Sequence, residues 1–355
     1  MTQRGEKFCR MLAEKGIDAA WVSRPENVRY LTGYTGEGAL LVLDGDMTIL
    51  TDFRYVEQAA IQAPGCACAR TSREDNLYAV LSRLVARRKI ARLGCEMDVL
   101  TVSAFEAARA AMPGVEFAAV DGMVEALRAV KDAGEIECIQ RAARIACTAF
   151  ENLLGWVRPG MTERQIQRRL DYDMLELGSE QSAFSTIACA GPNGSLPHAV
   201  PSDRPVQNGE LLTLDFGAQV NGYKCDMTRT IGFGKLSDKL VKIYDTVLQA
   251  QSVALAAIRP GASCREVDRV ARDLIDARYP GAFGHSLGHS VGLFIHETPS
   301  FSTTSADTLR AGHVMTVEPG VYIAGFAGCR IEDMAIITGD GCVNPITAPK
   351  NLIIV

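Results

Sequence analysis

The most restrictive feature of this sequence is an internal repeat in its second part. The segment WVRPGMTERQIQRRL, which begins at Trp156, resembles AIRPGASCREVDRVA, which begins at Ala257. In each copy Arg-Pro-Gly ends one helix, and a capping box, TERQ or SCRE, begins the next helix. A β-rich stretch follows each copy. We therefore predict an internal duplication, in which two α+β halves are related by a pseudo-two-fold axis and share one site at their junction.

The length of 355 residues is enough for about two domains. Residues 1–128 alternate helix with strand: Phe8, Met11 and Leu12 lie on one face of a helix, and ALLVL–DGD–MTILTD fits a hairpin with an Asp-Gly turn. Residues 129–355 begin with a long amphipathic helical pattern and contain the repeat. The predicted fold class is α+β, with a small N-terminal α/β domain (1–128) and a duplicated C-terminal domain (129–355).

Composition excludes several classes of function. With 47% hydrophobic and 22% charged residues, the chain has the composition of an ordinary globular protein. The net charge of −5 argues against nucleic acid or an anionic membrane as the main partner. The N-terminus is typical of a helix and not of a signal peptide, and no apolar run approaches the ~20 residues of a membrane helix. We therefore expect a cytoplasmic protein whose scattered cysteines are reduced.

A hairpin in the first half brings two carboxylates together. Apolar residues alternate on both sides of Asn221-Gly222, which is a strong hairpin signal. A two-residue turn there sets Asp215 opposite Thr228 and leaves Asp226 as a diagonal neighbour of Asp215 on the same face. Two carboxylates this close repel each other unless they are protonated or bridged by cations.

The second half supplies histidines and further carboxylates. The chain has five histidines, and three of them occur in HSLGHSVGLFIHETP, which we interpret as a buried, closely packed strand. Two strands around a turn near Gly325 set Glu318 and Glu332 opposite each other, where an unpaired carboxylate is costly to bury. An oxygen-rich set with one imidazole suits two divalent ions about 3.5–4 Å apart, manganese first, with cobalt or zinc as alternatives.

Several motifs together resemble one known family. NVRYLTGYTGEG and LTDFRYVEQA resemble its N-terminal domain, LRAVKDAGEIECIQRAARIA resembles the start of its catalytic domain, and LDFGAQVNGYKCDMTRT, HSLGHSVGLFIHE, TVEPGVY and RIED resemble its metal motifs. The chain is similar to the pita-bread metallopeptidases, and most similar to the branch of Xaa-Pro aminopeptidases and prolidases. The resemblance covers nearly the whole chain.

This resemblance implies a hydrolase that cleaves the Xaa-Pro bond at the N-terminus of peptides or in dipeptides, with a water activated by two metal ions. The implied metal ligands are Asp215, Asp226, His289, Glu318 and Glu332. In the family pattern Asp226 and Glu332 bridge the two ions. Glu318 is also the implied general base, His296 the group that steadies the scissile carbonyl, and His198 a contact near the leaving nitrogen.

The resemblance also implies the substrate side of the site. His285 and Arg330 match positions that line it, and Phe184 fits either an apolar wall of a proline pocket or the core. Ser300 stands where several prolidases carry an arginine that holds the substrate carboxylate, so Arg310 is a candidate substitute. Aminopeptidase and dipeptidase activities both stay open. Because relatives are often dimers, a homodimer is expected.

Two other classes of function remain as alternatives. One is a fold relative that acts on another small amide or a non-peptide substrate, including the creatinase-type branch that dispenses with metals. The other is a non-catalytic peptide-binding module. The intact metal ligands argue against the metal-free branch, and together with His198 and His296 they argue against the binding module. A metal-dependent relative that acts on another small amide or a non-peptide substrate stays open.

Overall fold

The structure is a computed structural model that describes residues 2–43 and 45–355. The chain divides into two compact units between Arg128 and Ala129. Along the described residues, no helix is long and apolar enough to cross a membrane.

The first unit is an α/β sandwich built on one mixed sheet. Its helices are α1 (Gln3–Glu14), α2 (Pro25–Thr32), α3 (Val56–Gln62), α4 (Leu77–Arg87), α5 (Val102–Ala111) and α6 (Met123–Ala129). Its strands are β1 (Ala19–Val22), β2 (Ala39–Leu43), β3 (Asp46–Asp52), β4 (Ala67–Thr71), β5 (Arg92–Cys95) and β6 (Glu116–Ala119). They pair in the order β4-β3-β2-β1-β5-β6, with β1–β2 and β2–β3 antiparallel.

The local sequence signals of this unit are confirmed. Phe8 and Leu12 are buried on the apolar face of α1, and the side chain of Thr2 caps that helix. Strands β2 and β3 form the predicted hairpin, with Leu43 opposite Asp46. The turn residue Asp44 lies outside the described residues.

The second unit holds two similar halves. Its helices are α7 (Ala133–Trp156), α8 (Glu163–Glu176), α9 (Asp238–Ala256) and α10 (Cys264–Asp276), with a 3₁₀ helix at Asn193–Ser195. The strands of the first half are β7 (Ile187–Ala190), β8 (Leu211–Phe216), β9 (Gln219–Val220), β10 (Tyr223–Lys224) and β11 (Met227–Gly232). Those of the second half are β12 (Gly288–Ser290), β13 (Glu297–Phe301), β14 (Val314–Val317), β15 (Gly320–Ile323), β16 (Ala327–Arg330), β17 (Asp333–Ile337) and β18 (Cys342–Val343).

The internal duplication is visible in matching backbone contacts. In the first half, the N–H of Gly160 donates to the carbonyl of Val206 at 2.9 Å; in the second, Gly261 donates to Leu309 at 2.9 Å. Both glycines have positive φ, 90° and 80°, which lets the chain turn sharply between paired helices. Each half therefore starts from the same helix–turn–helix unit and continues into antiparallel strands.

One of the two predicted capping boxes is wrong. Thr162 and Gln165 form the reciprocal bonds of a capping box at the start of α8. Ser263 begins α10 without a side-chain cap bond. The reason is that the Glu266 carboxylate pairs with Arg269 one turn further along the helix and does not reach back.

The sheets of the two halves meet at the centre of this unit. The first half has the order β11-β8-β7, and the second has β13-β12-β14-β17-β18, with hairpins β9–β10 and β15–β16 beside them. At the junction the N–H of Glu332 donates to the carbonyl of Thr228 at 3.0 Å. Helices α9 and α10 bury apolar side chains such as Val247 and Ile275 under the second sheet, each worth roughly 1.5–3 kcal/mol. This packing fixes the strands that carry the site.

Candidate active site

The first pair of carboxylates is positioned by the predicted hairpin. Asn221 and Gly222 both have positive φ, 48° and 73°, as a two-residue turn of this hand requires. Val220 then pairs with Tyr223, and Thr228 pairs with Asp215. Asp215 lies in β8, and Asp226 directly precedes β11, so both carboxylates reach the same side of the sheet.

The second pair comes from the strands around Gly325. Val317 pairs with Asp333, and Gly320 pairs with Arg330, so Glu318 and Glu332 lie opposite each other as predicted. The backbone N–H groups of the two glutamates leave this ladder. Glu318 donates to Leu287 at 2.8 Å, and Glu332 donates across the junction to the first half. The two carboxylates therefore sit where the sheets of both halves converge.

His289 is the imidazole of this group. It lies in β12, and its Nδ1 donates to the carbonyl of Ser290 at 3.1 Å, which leaves Nε2 as the ligand atom. That Nε2 is 3.3 Å from Oε1 of Glu318 and 3.6 Å from Oδ2 of Asp226. The N–H of His289 also donates to Oγ1 of Thr316, whose hydroxyl donates to Glu318.

The prediction of one buried strand through this histidine segment is wrong in part. Strand β12 covers only Gly288–Ser290, its pairing with β13 shifts register after His289, and the chain bends through 291–296. The bend is closed by Gly292, whose N–H donates to Phe294 at 3.1 Å. It places the His296 ring edge-on against the His289 ring, with centroids 4.5 Å apart, at the open side of the cavity.

The donor set fits divalent cations. One ligand oxygen each from Asp215, Asp226 and Glu332 lies within 4.8 Å of the others. Oδ2 of Asp215 accepts from Arg330, and Oε2 of Glu332 accepts from Thr228. In contrast, Oδ1 of Asp215 and Oε1 of Glu332 are buried without a hydrogen-bond partner in the part of the chain that the structure describes. A buried carboxylate oxygen without a donor is costly, so these two atoms point to bound cations.

The electrostatics of the cluster lead to the same conclusion. Burial, followed by repulsion from Asp215 and Glu318, raises the pKa of Asp226 well above its ordinary range. Burial and the charge of Asp226 also raise the pKa of Glu332 well above its ordinary range. Burial raises the pKa of Glu318 to about 8. Burial lowers the pKa of His289 to about 4, which keeps the imidazole neutral, its ligand form. Without cations these carboxylates destabilise one another.

Arg330 links the cluster to a second histidine. Its Nη2 donates to Asp215 at 2.6 Å, its Nε donates to Thr228 at 3.1 Å, and its Nη1 donates to the hydroxyl of Tyr322 at 2.7 Å. That hydroxyl lies 3.0 Å from Nε2 of His285. The Nδ1 of His285 donates to the carbonyl of Ser286, so Nε2 accepts from Tyr322.

Ten of the residues singled out from the sequence line one cavity of about 520 Å³. They are Phe184, His198, Asp215, Asp226, His285, His289, His296, Glu318, Arg330 and Glu332. Ile187, Pro197, Val200, Ile295 and Ser300 complete much of the wall. Phe184 thus faces the cavity and is only partly buried. Arg310, the suggested substitute for an arginine at position 300, is not among the described lining residues.

Three contact residues were missed by the sequence reasoning. Thr228 was aligned with Asp215, and its polar side chain in a buried strand was a usable signal. The sequence around Thr316 and Tyr322 carries no such signal, because their roles depend on contacts with β12 and with the segment around His285.

Comparisons with known proteins agree along the whole chain. Residues 137–339 match metallopeptidase family M24, and residues 4–130 match the creatinase/prolidase N-terminal domain. The chain is 39% identical over 351 residues to the uncharacterized peptidase YqhT of Bacillus subtilis, covering 98% of this chain and 99% of that one.

Two solved structures have the same fold. An Xaa-Pro dipeptidase from Bacillus anthracis superposes with a TM-score of 0.96 at 39% identity, covering 99% of both chains. An X-Pro aminopeptidase from Thermotoga maritima superposes with a TM-score of 0.90 at 34% identity, covering 99% of this chain and 100% of that chain. The predicted pita-bread fold with its N-terminal α/β domain is confirmed. The chain therefore belongs to metallopeptidase family M24.

Proposed function

We propose that this protein hydrolyses the peptide bond that precedes proline, in dipeptides or at the N-terminus of longer peptides. The observation that carries the proposal is the convergence of the metal-ligand set and the cavity histidines in one pocket. The similarity to an Xaa-Pro dipeptidase and to an X-Pro aminopeptidase supports the choice of bond. Residues 129–355 are the proposed catalytic domain, and residues 1–128 are the proposed N-terminal domain of the creatinase/prolidase type.

The proposed ligands of two divalent ions are Asp215, Asp226, His289, Glu318 and Glu332. By the family pattern, Asp226 and Glu332 would be shared by the two ions; of the four carboxylate ligands they are the two most deeply buried, at 5% and 1% exposed. Carboxylates with a single imidazole favour manganese, with cobalt or zinc as alternatives. When bound, such ions lower the pKa of a water and polarise the amide carbonyl.

One metal ligand and two further histidines of the cavity have proposed catalytic roles. Glu318 is the proposed general base, and the hydroxyl of Thr316 donates to its carboxylate at 3.1 Å and orients it. His296 is proposed to donate a hydrogen bond to the carbonyl oxygen as negative charge develops there. His198, an exposed residue of the cavity wall, is proposed to contact the peptide near the leaving nitrogen.

Selection of proline is proposed to depend on shape. Most residues present a backbone N–H at this position, but proline has none, and its ring fixes φ. A pocket that does not rely on an acceptor for that N–H therefore admits proline. Phe184 supplies an apolar surface, and His285 and Arg330 line the same cavity. A homodimer and a cytoplasmic location are further proposals, based on the family resemblance.

The test is a peptidase assay on manganese-loaded protein with Ala-Pro and Ala-Pro-Ala, and with Ala-Ala and Ala-Ala-Ala as matched substrates without proline. An EDTA-treated sample is the control. Release of alanine from both proline peptides, or from the tripeptide alone, indicates an aminopeptidase; release from the dipeptide alone indicates a prolidase. Equal rates with the peptides that lack proline, or no metal-dependent release, would overturn the proposal.

A further inference from the structure

A buried glutamate outside the cavity accepts hydrogen bonds from both ends of one segment of the cavity wall. Glu163, the first residue of α8, has an exposed fraction of 0% and is neither a cavity residue nor part of the metal-ligand group. Its Oε1 accepts from the N–H of Ala190 at 2.8 Å. Its Oε2 accepts from Nδ2 of Asn193 at 2.7 Å, and from the N–H and the hydroxyl of Ser202 at 3.0 and 2.7 Å.

These contacts close a loop. Ala190 ends β7 and Ser202 lies twelve positions later, so one carboxylate holds both ends of the segment 191–201. That segment contains Pro197, His198, Ala199 and Val200, which line the cavity. Its middle is tied to the metal-ligand group, because Nη1 of Arg330 donates to the carbonyl of Pro197 at 3.2 Å. The segment is therefore held at its ends by Glu163 and next to His198 by Arg330. Two further bonds support it: the N–H of Gly191 donates to the carbonyl of Leu211 at 3.0 Å, and the N–H of Gly325 donates to Oγ of Ser195 at 3.2 Å.

The internal duplication shows that the fold itself does not require this carboxylate. The residue at the equivalent place in the second half is Cys264, the first residue of α10. The backbone contact is the same in both halves: Glu163 donates to the carbonyl of Arg204 at 3.1 Å, and Cys264 donates to that of Asp307 at 3.0 Å. A helix thus begins at this place without a carboxylate, and the side chain of Glu163 serves the loop.

The local environment explains why a charge is tolerated there. The carboxylate accepts from four donors and sits in the first turn of α8, where the helix dipole favours negative charge. The position is therefore suited to an ionised glutamate and not to its amide, since the NH₂ group of glutamine would face the same donors.

We propose that Glu163 is a positioning residue, which holds the loop 191–201 so that His198 faces the metal-ligand group across the cavity. The expected effect of Glu163 on catalysis rests on the proposed function, whereas its effect on the loop does not. Hydrogen exchange of the loop measures the effect on structure, and a kinetic double-mutant cycle with His198 measures the effect on catalysis.

The exchange experiment compares Glu163→Gln with Glu176→Gln, an exposed glutamate at the end of the same helix. We expect amides of 191–201 in Glu163→Gln to exchange at least about tenfold faster than in wild type, while α7 and β8 stay protected and the control is unchanged. Should the exchange of 191–201 be unchanged, the positioning role is overturned. Ser202→Ala removes one donor and keeps the charge, so it gives a milder variant if Glu163→Gln does not fold.

The kinetic cycle uses His198→Ala, Glu163→Gln and the double variant, with equal metal content. We expect Glu163→Gln to lower kcat/KM by about 10- to 100-fold in the wild-type background and by less than about twofold when His198 is already absent. Full additivity would show that Glu163 does not act through His198. A wild-type protein without Xaa-Pro activity would refute the proposed function, and the exchange result alone would then decide the role of Glu163.

Discussion

Nη2 of Arg330 donates to Oδ2 of Asp215 at 2.6 Å, while Oδ1 of the same carboxylate is buried without a hydrogen-bond partner among the described residues. One oxygen is thus held by a protein donor, and the other remains for a cation. Glu332 has the same arrangement: Oε2 accepts from the hydroxyl of Thr228, and Oε1 is buried without a hydrogen-bond partner among the described residues. Groups outside a metal site that orient its ligands in this way tune its affinity.

The first prediction concerns that orientation. Arg330→Lys should lower manganese affinity by roughly 10- to 100-fold, because an ammonium cannot reach Asp215, Thr228 and Tyr322 together. Titration calorimetry on metal-free protein measures it, with the exposed Arg269→Lys as the control. Equal affinities for the two variants would rule out an orienting role for Arg330.

The second prediction concerns the proposed bridging ligands. Asp226→Ala and Glu332→Ala should each abolish metal-dependent activity, because a bridging carboxylate contributes to both ions. Metal stoichiometry measured after dialysis should fall below two equivalents. The exposed Asp340→Ala is the matched control. Near-normal turnover in either cavity variant would show that the bridging assignment is wrong.

The third prediction separates His296 from the ligands. His296→Ala should lower kcat by about 10²- to 10³-fold and leave metal stoichiometry unchanged, since the proposed hydrogen bond acts on developing charge and not on the ions. Steady-state kinetics and metal analysis on the same preparation measure both. Loss of metal from this variant would instead make His296 a ligand.

The fourth prediction concerns the close approach of β12 to β14. A Cβ atom on Gly288 would lie 2.1 Å from the carbonyl oxygen of Thr316, whose hydroxyl contacts both His289 and Glu318. Gly288→Ala should lower the free energy of unfolding by about 1–3 kcal/mol and weaken metal binding. Urea unfolding measures the first effect. Gly284→Ala is the control, because a Cβ there meets nothing within 4 Å; equal stability of the two variants would contradict the prediction.

The fifth prediction concerns pH and the histidine outside the cavity. Burial, with the charges of Lys131 and Arg310, lowers the pKa of His313 to about 4. An unfolded histidine titrates near 6.5, so between about pH 6.5 and 4 the unfolded state binds more protons and the free energy of unfolding falls as pH falls. His313→Gln should flatten that slope by up to about 1.4 kcal/mol per pH unit.

The measurement is urea unfolding at several pH values on metal-free wild type and variant, because the difference between them cancels the other titrating groups. Arg310→Gln should flatten the slope in part, since it removes a charge that opposes protonation of His313. Identical slopes in all three proteins would mean that His313 takes up its proton without cost to the fold.

The sequence was most informative where structure is local. The positions of Asp215 and Asp226 followed from a two-residue turn and the alternation of a hairpin, and those of Glu318 and Glu332 from a turn near Gly325. The turn itself sets the register within a hairpin, so a short stretch of sequence is enough to predict which residues pair across it. Where partners competed, the same reasoning was wrong: Glu266 pairs with Arg269 in place of a capping box, and the chain bends after β12.

By itself the sequence indicated the class of fold and the duplication through local periodicity and repeated motifs. It indicated ten of the residues that line the cavity, those on the substrate side through motifs that resemble a known family. Only the tertiary structure decided how those residues are held. Arg330 and Asp215 are 115 positions apart, and Glu163 meets Ser202 across 39. Such contacts depend on how two sheets and their helices pack, and no turn or repeat within either segment specifies them. The physical reason is that two distant segments become neighbours only when the sheets and helices have packed. Burial then makes an unpaired polar atom costly, so the side chains that meet there must pair.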